Sequence, residues 1–300
     1  MSNLQKGLTS VIVGSILWGA SGTVAELFFS ESTVSTQWVV ALRLLGAGIL
    51  LLLWCLFTIP HQVKNLLRQP KQVLAVCLFG FLGVLPSQFT YFMAIRTGNA
   101  PTATILQFLS PLFILLYFTI TKRELPRRID SFCVFLAMFG TYLLVTKGQF
   151  NQLALSPEAF IWGILSGVSA ALYTLLPRKL LQAFDAKLVT GLAMFVSGIA
   201  LSPILISTDV PVLAPRNWGM LAFIVIGGTM FSYLFYIQSL QYIDASLTSM
   251  LSSFEPLTAT ILSVALLHTA FGLPEIIGAL FILSTTFLQA WASHRELAKT

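Results

Sequence analysis

Apolar residues in this chain come in runs of about twenty, divided by short polar connections. A run of that length crosses a hydrocarbon layer of roughly 30 Å as an α-helix. In lipid a segment must satisfy its own backbone hydrogen bonds, which excludes loops and open sheet. The pattern predicts ten spans, at about 7–29, 36–59, 73–95, 100–121, 130–146, 157–177, 187–207, 217–239, 245–267 and 273–292. The expected class is therefore an all-α polytopic membrane protein of ten transmembrane helices. Connections are too short for a soluble domain: Arg96-Thr97-Gly98-Asn99 divides the third and fourth spans, and Gln241–Asp244 the eighth and ninth. The first run, starting after Lys6, has no cleavage pattern before Glu26 and reads as a retained span.

A shift of 145 residues lays Gly83–Leu112 over Gly228–Leu257 without a gap. Gly83, Ser87, Tyr91, Ala100, Leu106, Pro111 and Leu112 then meet Gly228, Ser232, Tyr236, Ala245, Leu251, Pro256 and Leu257. Asn99 meets Asp244, each a candidate N-cap before the following helix. Two halves are expected, 1–149 and 150–300. Five spans per half is an odd number, so the second half enters the membrane inverted. Eleven residues separate Asn99 from Ser110 and Asp244 from Glu255; at 1.5 Å per residue that is roughly 16 Å, half the membrane. Helix breaks at Ser110-Pro111 and at Pro256 are expected to meet near the midplane.

Charge adds the orientation. With the N-terminus inside, 13 Lys and Arg residues fall in inside connections and 3 (Arg96, Lys147 and Arg216) outside. That bias puts both termini in the cytoplasm. It also explains the net charge of +6 as topology anchors rather than a nucleic-acid surface. Hydrophobic residues make up 56% of the chain and charged ones 9%, far below the roughly one quarter charged of soluble chains. Trp38, Trp54, Trp162, Trp218 and Trp291 fall near span ends, where amphipathic rings prefer the interface; Trp18 alone is mid-span.

Few polar residues inside the spans can carry chemistry. Glu255 stands beside Pro256 in an apolar run, and ionisable groups at that depth face a cavity or a partner. It is a candidate proton carrier or cation-binding group, or else a structural carboxylate. Arg43 is a candidate for bidentate binding of a substrate carboxylate, or for an outer clamp paired with Glu26; pairing with Glu255 is a third arrangement. Trp18, Tyr91 and Tyr236 are candidates to line a central cavity or to pack between helices. Gln88, Gln107 and Gln238 are candidates to bind substrate or to join helices.

Cys55, Cys77 and Cys133 lie in apolar runs without redox or metal spacing, and His61, His268 and His294 are far apart, so no metal site is expected. No glycine-rich phosphate loop is present, which argues against direct ATP drive, and no catalytic constellation points to an enzyme. No cofactor is expected.

Four stretches carry a family likeness: Ile16-Leu17-Trp18-Gly19-Ala20-Ser21-Gly22, Ala103-Thr104-Ile105-Leu106-Gln107-Phe108-Leu109-Ser110-Pro111, Gly140-Thr141-Tyr142-Leu143-Leu144-Val145-Thr146 and Glu255-Pro256-Leu257. With the ten-span inverted pattern, they resemble the EamA family of the drug/metabolite transporter superfamily, and within it the YicL-type bacterial members. The resemblance implies a secondary transporter in the bacterial inner membrane, expected to export a small metabolite such as an amino acid or related amphiphilic compound. Alternating access around a midplane cavity, with proton coupling open, would be its mechanism. It leaves monomer and homodimer open, and a membrane-embedded scaffold, sensor or lipid-handling protein on the same fold is the alternative.

Overall fold

The computed structural model describes residues 2–122, 128–149, 155–208, 211–239, 242–243, 248 and 251–297. The expected cap at Asp244 and the inside charges Arg123, Arg127 and Lys299 lie outside that set.

The described residues are helical, without strands. In order the helices are α1 (Asn3–Glu31), α2 (Thr36–Thr58), α3 (Pro60–Leu67), α4 (Pro70–Phe79), α5 (Leu85–Thr97), α6 (Ala100–Gln107) and α7 (Ser110–Lys122). They continue with α8 (Arg128–Thr146), α9 (Pro157–Leu175), α10 (Arg178–Ala183), α11 (Ala186–Ser207), α12 (Pro215–Val225), α13 (Ser232–Ser239), α14 (Phe254–Leu267) and α15 (Leu273–Leu297). Seven helical stretches are long and apolar enough to cross a membrane: Asn3–Glu31, Thr36–Thr58, Pro70–Thr97, Ala100–Thr121, Pro157–Ala183, Ala186–Ser207 and Pro215–Ser239. Three shorter apolar helices, Ser131–Leu144, Phe254–Leu267 and Leu273–Thr285, fall in the remaining expected spans.

Local chemistry sets the helix starts. Ser2 and Gln5 form a reciprocal capping box on α1, and the side chains of Ser35, Asn99 and Ser156 cap α2, α6 and α9. Pro60, Pro70, Pro157 and Pro215 open their helices, where no intrahelical N–H is required.

Two π turns interrupt the long stretches, Gly80–Val84 between α4 and α5 and Ile226–Phe231 between α12 and α13. Pro86 follows the first and lacks the N–H that an unbroken α-ladder needs. The second holds no proline. There the hydroxyls of Thr229 and Ser232 donate to carbonyls five residues back, Ile224 at 2.8 Å and Gly227 at 2.7 Å.

Helix pairs approach through small residues, as expected where lipid removes the hydrophobic drive for helix association. Antiparallel α2 and α11 meet reciprocally: a Cβ on Gly48 would lie 2.5 Å from the Phe195 amide nitrogen, and one on Gly198 2.5 Å from that of Leu45. In the same way a Cβ on Gly140 in α8 would lie 2.6 Å from the Gly278 carbonyl of α15, and one on Gly278 2.5 Å from the Gly140 carbonyl. The centre of the molecule is α1, which packs on Tyr242 and Ile243 through Gly7, on α13 through Gly14 and on α14 through Gly19 and Thr23. Large apolar side chains point outward, among them Phe57 at 85% and Ile206 at 83% exposure, which suits a lipid-facing surface.

Candidate functional site

Turns precede both prolines expected to break their helices. After α6 ends at Gln107, Phe108 and Leu109 form a turn held by short-range bonds, the Leu109 amide donating to the Leu106 carbonyl at 3.1 Å. Ser110 and Pro111 then begin α7. Before α14, Ser252 and Ser253 form a matching turn, and the Glu255 amide donates to the Ser252 carbonyl at 2.9 Å. Pro256 sits in the first turn of α14, where its missing N–H leaves no carbonyl stranded.

Gly19 explains why Glu255 can come so close to α1. A side chain at Gly19 would collide with the Glu255 carbonyl oxygen and lie 2.8 Å from Thr258 Cβ. With no Cβ there, the backbones touch and Glu255 is carried to the level of Trp18.

A cavity of ≈ 110 Å³ lies at this level, lined by Trp18, Arg43, Ser87, Gln88, Tyr91, Gln107, Ala170, Tyr173, Tyr233 and Glu255. Five of the six residues expected from sequence to bind or couple therefore share one space: Glu255, Arg43, Trp18, Gln107 and Tyr91. Tyr236 does not line it. Its ring packs on Trp18 with centroids 5.2 Å apart, so it supports the wall from behind.

Each wall is held by its own contacts. Trp18 meets Tyr233 edge-on at 4.9 Å, and Tyr233 meets Tyr173 at 5.8 Å, giving a continuous aromatic side. Gln88 Nε2 donates to the Tyr233 hydroxyl at 2.9 Å. The Tyr91 hydroxyl bonds with that of Thr104 at 2.9 Å, and Thr104 in turn donates to the Ala100 carbonyl.

Arg43 is 3% exposed. Its Nε donates to Thr229 Oγ1, its Nη2 donates to the Gly228 carbonyl at 3.2 Å, and its plane lies over the Phe92 ring, 4.4 Å from the centroid. Nη1 has no partner, and neither has Gln88 Oε1.

The expected outer pair of Glu26 with Arg43 does not form. Glu26 instead accepts from the Ala100 amide at 2.9 Å and from the Ser263 hydroxyl at 3.1 Å, both on Oε2. A helix N-terminus presents unpaired N–H groups, and at α6 these have drawn the carboxylate away. Arg43 has meanwhile been drawn to the π turn. Arg43 and Glu255 line the same cavity without forming a direct ion pair.

Sequence reasoning missed Ser87, Ala170, Tyr173 and Tyr233, and left Gln88 open. Tyr233 was within reach, because the 145-residue shift pairs it with Gln88 next to the Ser87–Ser232 identity. Tyr173 and Ala170 carry no such mark. Only the rotation of α9 about its axis brings them to the cavity. No cluster of three or more metal-ligating side chains occurs among the described residues.

Comparison with known proteins agrees with this architecture. The profile of the EamA-like transporter family matches residues 5–146 and 158–291. The chain is 34% identical over 99% of its length and 99% of the other's to the "Uncharacterized inner membrane transporter YicL" of Salmonella typhimurium. It is 25% identical to the "Uncharacterized transporter YwfM" of Bacillus subtilis, across 85% of this chain and 83% of that one. With the riboflavin transporter ImpX of Fusobacterium nucleatum it shares 24% identity across 87% and 89% of the two chains. A crystal structure with a TM-score of 0.63, covering 98% of both chains at 19% identity, has the same fold. A multi-pass helical chain of this sequence, with a polar cavity among its spans, belongs to the EamA-like transporter family, whose members are transporters, and is a transporter, not an enzyme.

Proposed function

We propose that the protein is a secondary transporter of the bacterial inner membrane. In this reading it exports a small metabolite by alternating access between two inverted five-helix halves, residues 1–149 and 150–300. Ten spans, with both termini cytoplasmic, surround a midplane site. Support for the halves comes from the two stretches matched by the family profile and from the reciprocal contacts of Gly48 with Gly198's helix and of Gly140 with Gly278. The Lys and Arg bias supports the orientation.

The observation that carries the reading is the cavity itself. Arg43 and Glu255, opposite in charge and both more than nine-tenths buried, face one small space without neutralising each other directly. Ionisable groups inside a span mark substrate or ion pathways. Glu255 sits at the helix break, where rocking of one half against the other changes its surroundings most, and it is the coupling group of the cycle.

Purified protein in proteoliposomes tests this. Counterflow of labelled small metabolites, driven by a solute or pH gradient, should appear with the native chain and vanish with Glu255→Gln. Absence of flux for amino acids, amines, nucleosides and organic acids from folded, reconstituted protein would overturn it.

A further inference from the structure

Arg43 is the buried cation of this cavity, and its hydrogen bonds are complete except at a single atom. Its Nε and Nη2 are occupied by Thr229 and by the Gly228 carbonyl, its face by Phe92, and Nη1 by nothing. A buried donor without an acceptor loses its hydration uncompensated, at a greater cost when charged, so such atoms rarely persist without a use. We infer that Nη1 is the subsite for a carboxylate on the transported molecule, and that Thr229 is the positioning residue that turns Nη1 toward it. This deepens the transporter reading above and rests on it for the word "transported".

Thr229 does this through the π turn. Its hydroxyl spends its only proton on the Ile224 carbonyl, five residues back, a spacing that the π geometry permits. The oxygen is then left with lone pairs only, directed at Arg43 Nε. That fixes which edge of the guanidinium is tied to the second half of the chain. Arg43 lines the cavity, and Nη1 is the nitrogen these two contacts leave over. A guanidinium tied at two nitrogens keeps its fork geometry and loses little further freedom when an oxyanion arrives.

The rest of the cavity restricts the ligand class. Trp18, Tyr91, Tyr173 and Tyr233 offer aromatic surface beside Arg43. Glu255, in the same space, repels a second negative group. The class that fits is a small molecule with a flat apolar part and a single carboxylate.

Three probes that share a phenyl ring and differ in charge test the assignment: benzoate, benzylammonium and benzyl alcohol. Binding to purified full-length protein is read from the ligand-dependent rise in melting temperature. Benzoate should raise it, and the other two should not. Thr229→Val and Arg43→Lys should each weaken benzoate at least about tenfold, the scale of one charge-assisted hydrogen bond, whereas Thr229→Ser, which keeps the hydroxyl, should stay within about threefold of the native chain. Comparing ligand-free melting temperatures separates loss of fold from loss of the subsite. If Thr229→Val does not fold, Arg43→Lys and Thr229→Ser decide. The assignment is overturned if benzoate gives no shift, if benzylammonium or benzyl alcohol matches it, or if Thr229→Val or Arg43→Lys binds benzoate like the native chain. Benzoate binding through Arg43 without flux in proteoliposomes would sink the transport reading alone; flux without benzoate binding would sink this one alone.

Discussion

Gln88 donates a hydrogen bond to Tyr233, a residue 145 positions later in the chain. That is the shift at which Gly83–Leu112 repeats as Gly228–Leu257. Two matched positions can touch each other only where the two copies meet, and this contact lies in the wall of the cavity. The bond also leaves Gln88 Oε1 without a donor. Tyr233→Phe should therefore strand the amide completely and cost about 1–3 kcal/mol of stability. Thermal unfolding in detergent measures it, and an unchanged melting temperature would mean that the pair contributes nothing.

Glu255 is expected to act against stability. Its carboxylate is buried in a largely apolar bundle with no direct ion pair, and an uncompensated buried charge is destabilising. Glu255→Gln should raise the unfolding free energy by about 1–3 kcal/mol while abolishing gradient-driven flux. A variant that loses stability along with flux would instead identify Glu255 as a structural carboxylate.

Gly19 and Gly219 form a matched pair of tests. A Cβ at Gly19 meets the backbone of α14, whereas one at Gly219 meets nothing within 4 Å. Gly19→Ala should push α1 from α14 and cost about 1–3 kcal/mol, the usual penalty of overpacking. Gly219→Ala should be neutral or stabilise by about 0.5–1 kcal/mol through helix propensity. Equal effects of the two substitutions would contradict the close approach at Glu255.

The crossing of α8 with α15 predicts a failure of additivity. Gly140 and Gly278 each approach the other's carbonyl oxygen. Once one alanine has separated the helices, the second meets less resistance. Gly140→Ala and Gly278→Ala should together cost less than the sum of the single changes, with a coupling of at least about 0.5 kcal/mol. A strictly additive double variant would place the two clashes apart.

Glu26 ties the N-terminus of α6 to α14 through the Ala100 amide and the Ser263 hydroxyl. Both partners are donors, so Glu26→Leu, which has no acceptor, leaves both unpaired. The expected result is faster labelling of a cysteine placed at Thr104 by a membrane-impermeant reagent added from outside, compared with the same cysteine in the Glu26 background. Identical labelling rates would show that the link does not seal that end.

Seven membrane-length helices were legible in the sequence because lipid imposes a single rule, continuous apolar helix, on every crossing segment. Proline cannot donate to a helical ladder, which fits the turns at Phe108-Leu109 and Ser252-Ser253, just ahead of Pro111 and Pro256. Five of the ten cavity residues could be named because a polar group in a span has few places to go. Which partners those groups take depends on how each helix is rotated and how near its neighbours come, and no local pattern encodes that. Tertiary structure alone sent Glu26 to the amide of Ala100 and Arg43 to a π turn 185 residues away, where the sequence suggested that they would find each other. It put Tyr173 into the cavity wall and Tyr236 behind it. Strong hydrogen-bonding groups in a medium without water bind the first unsatisfied backbone within reach, and reach is a property of the folded bundle.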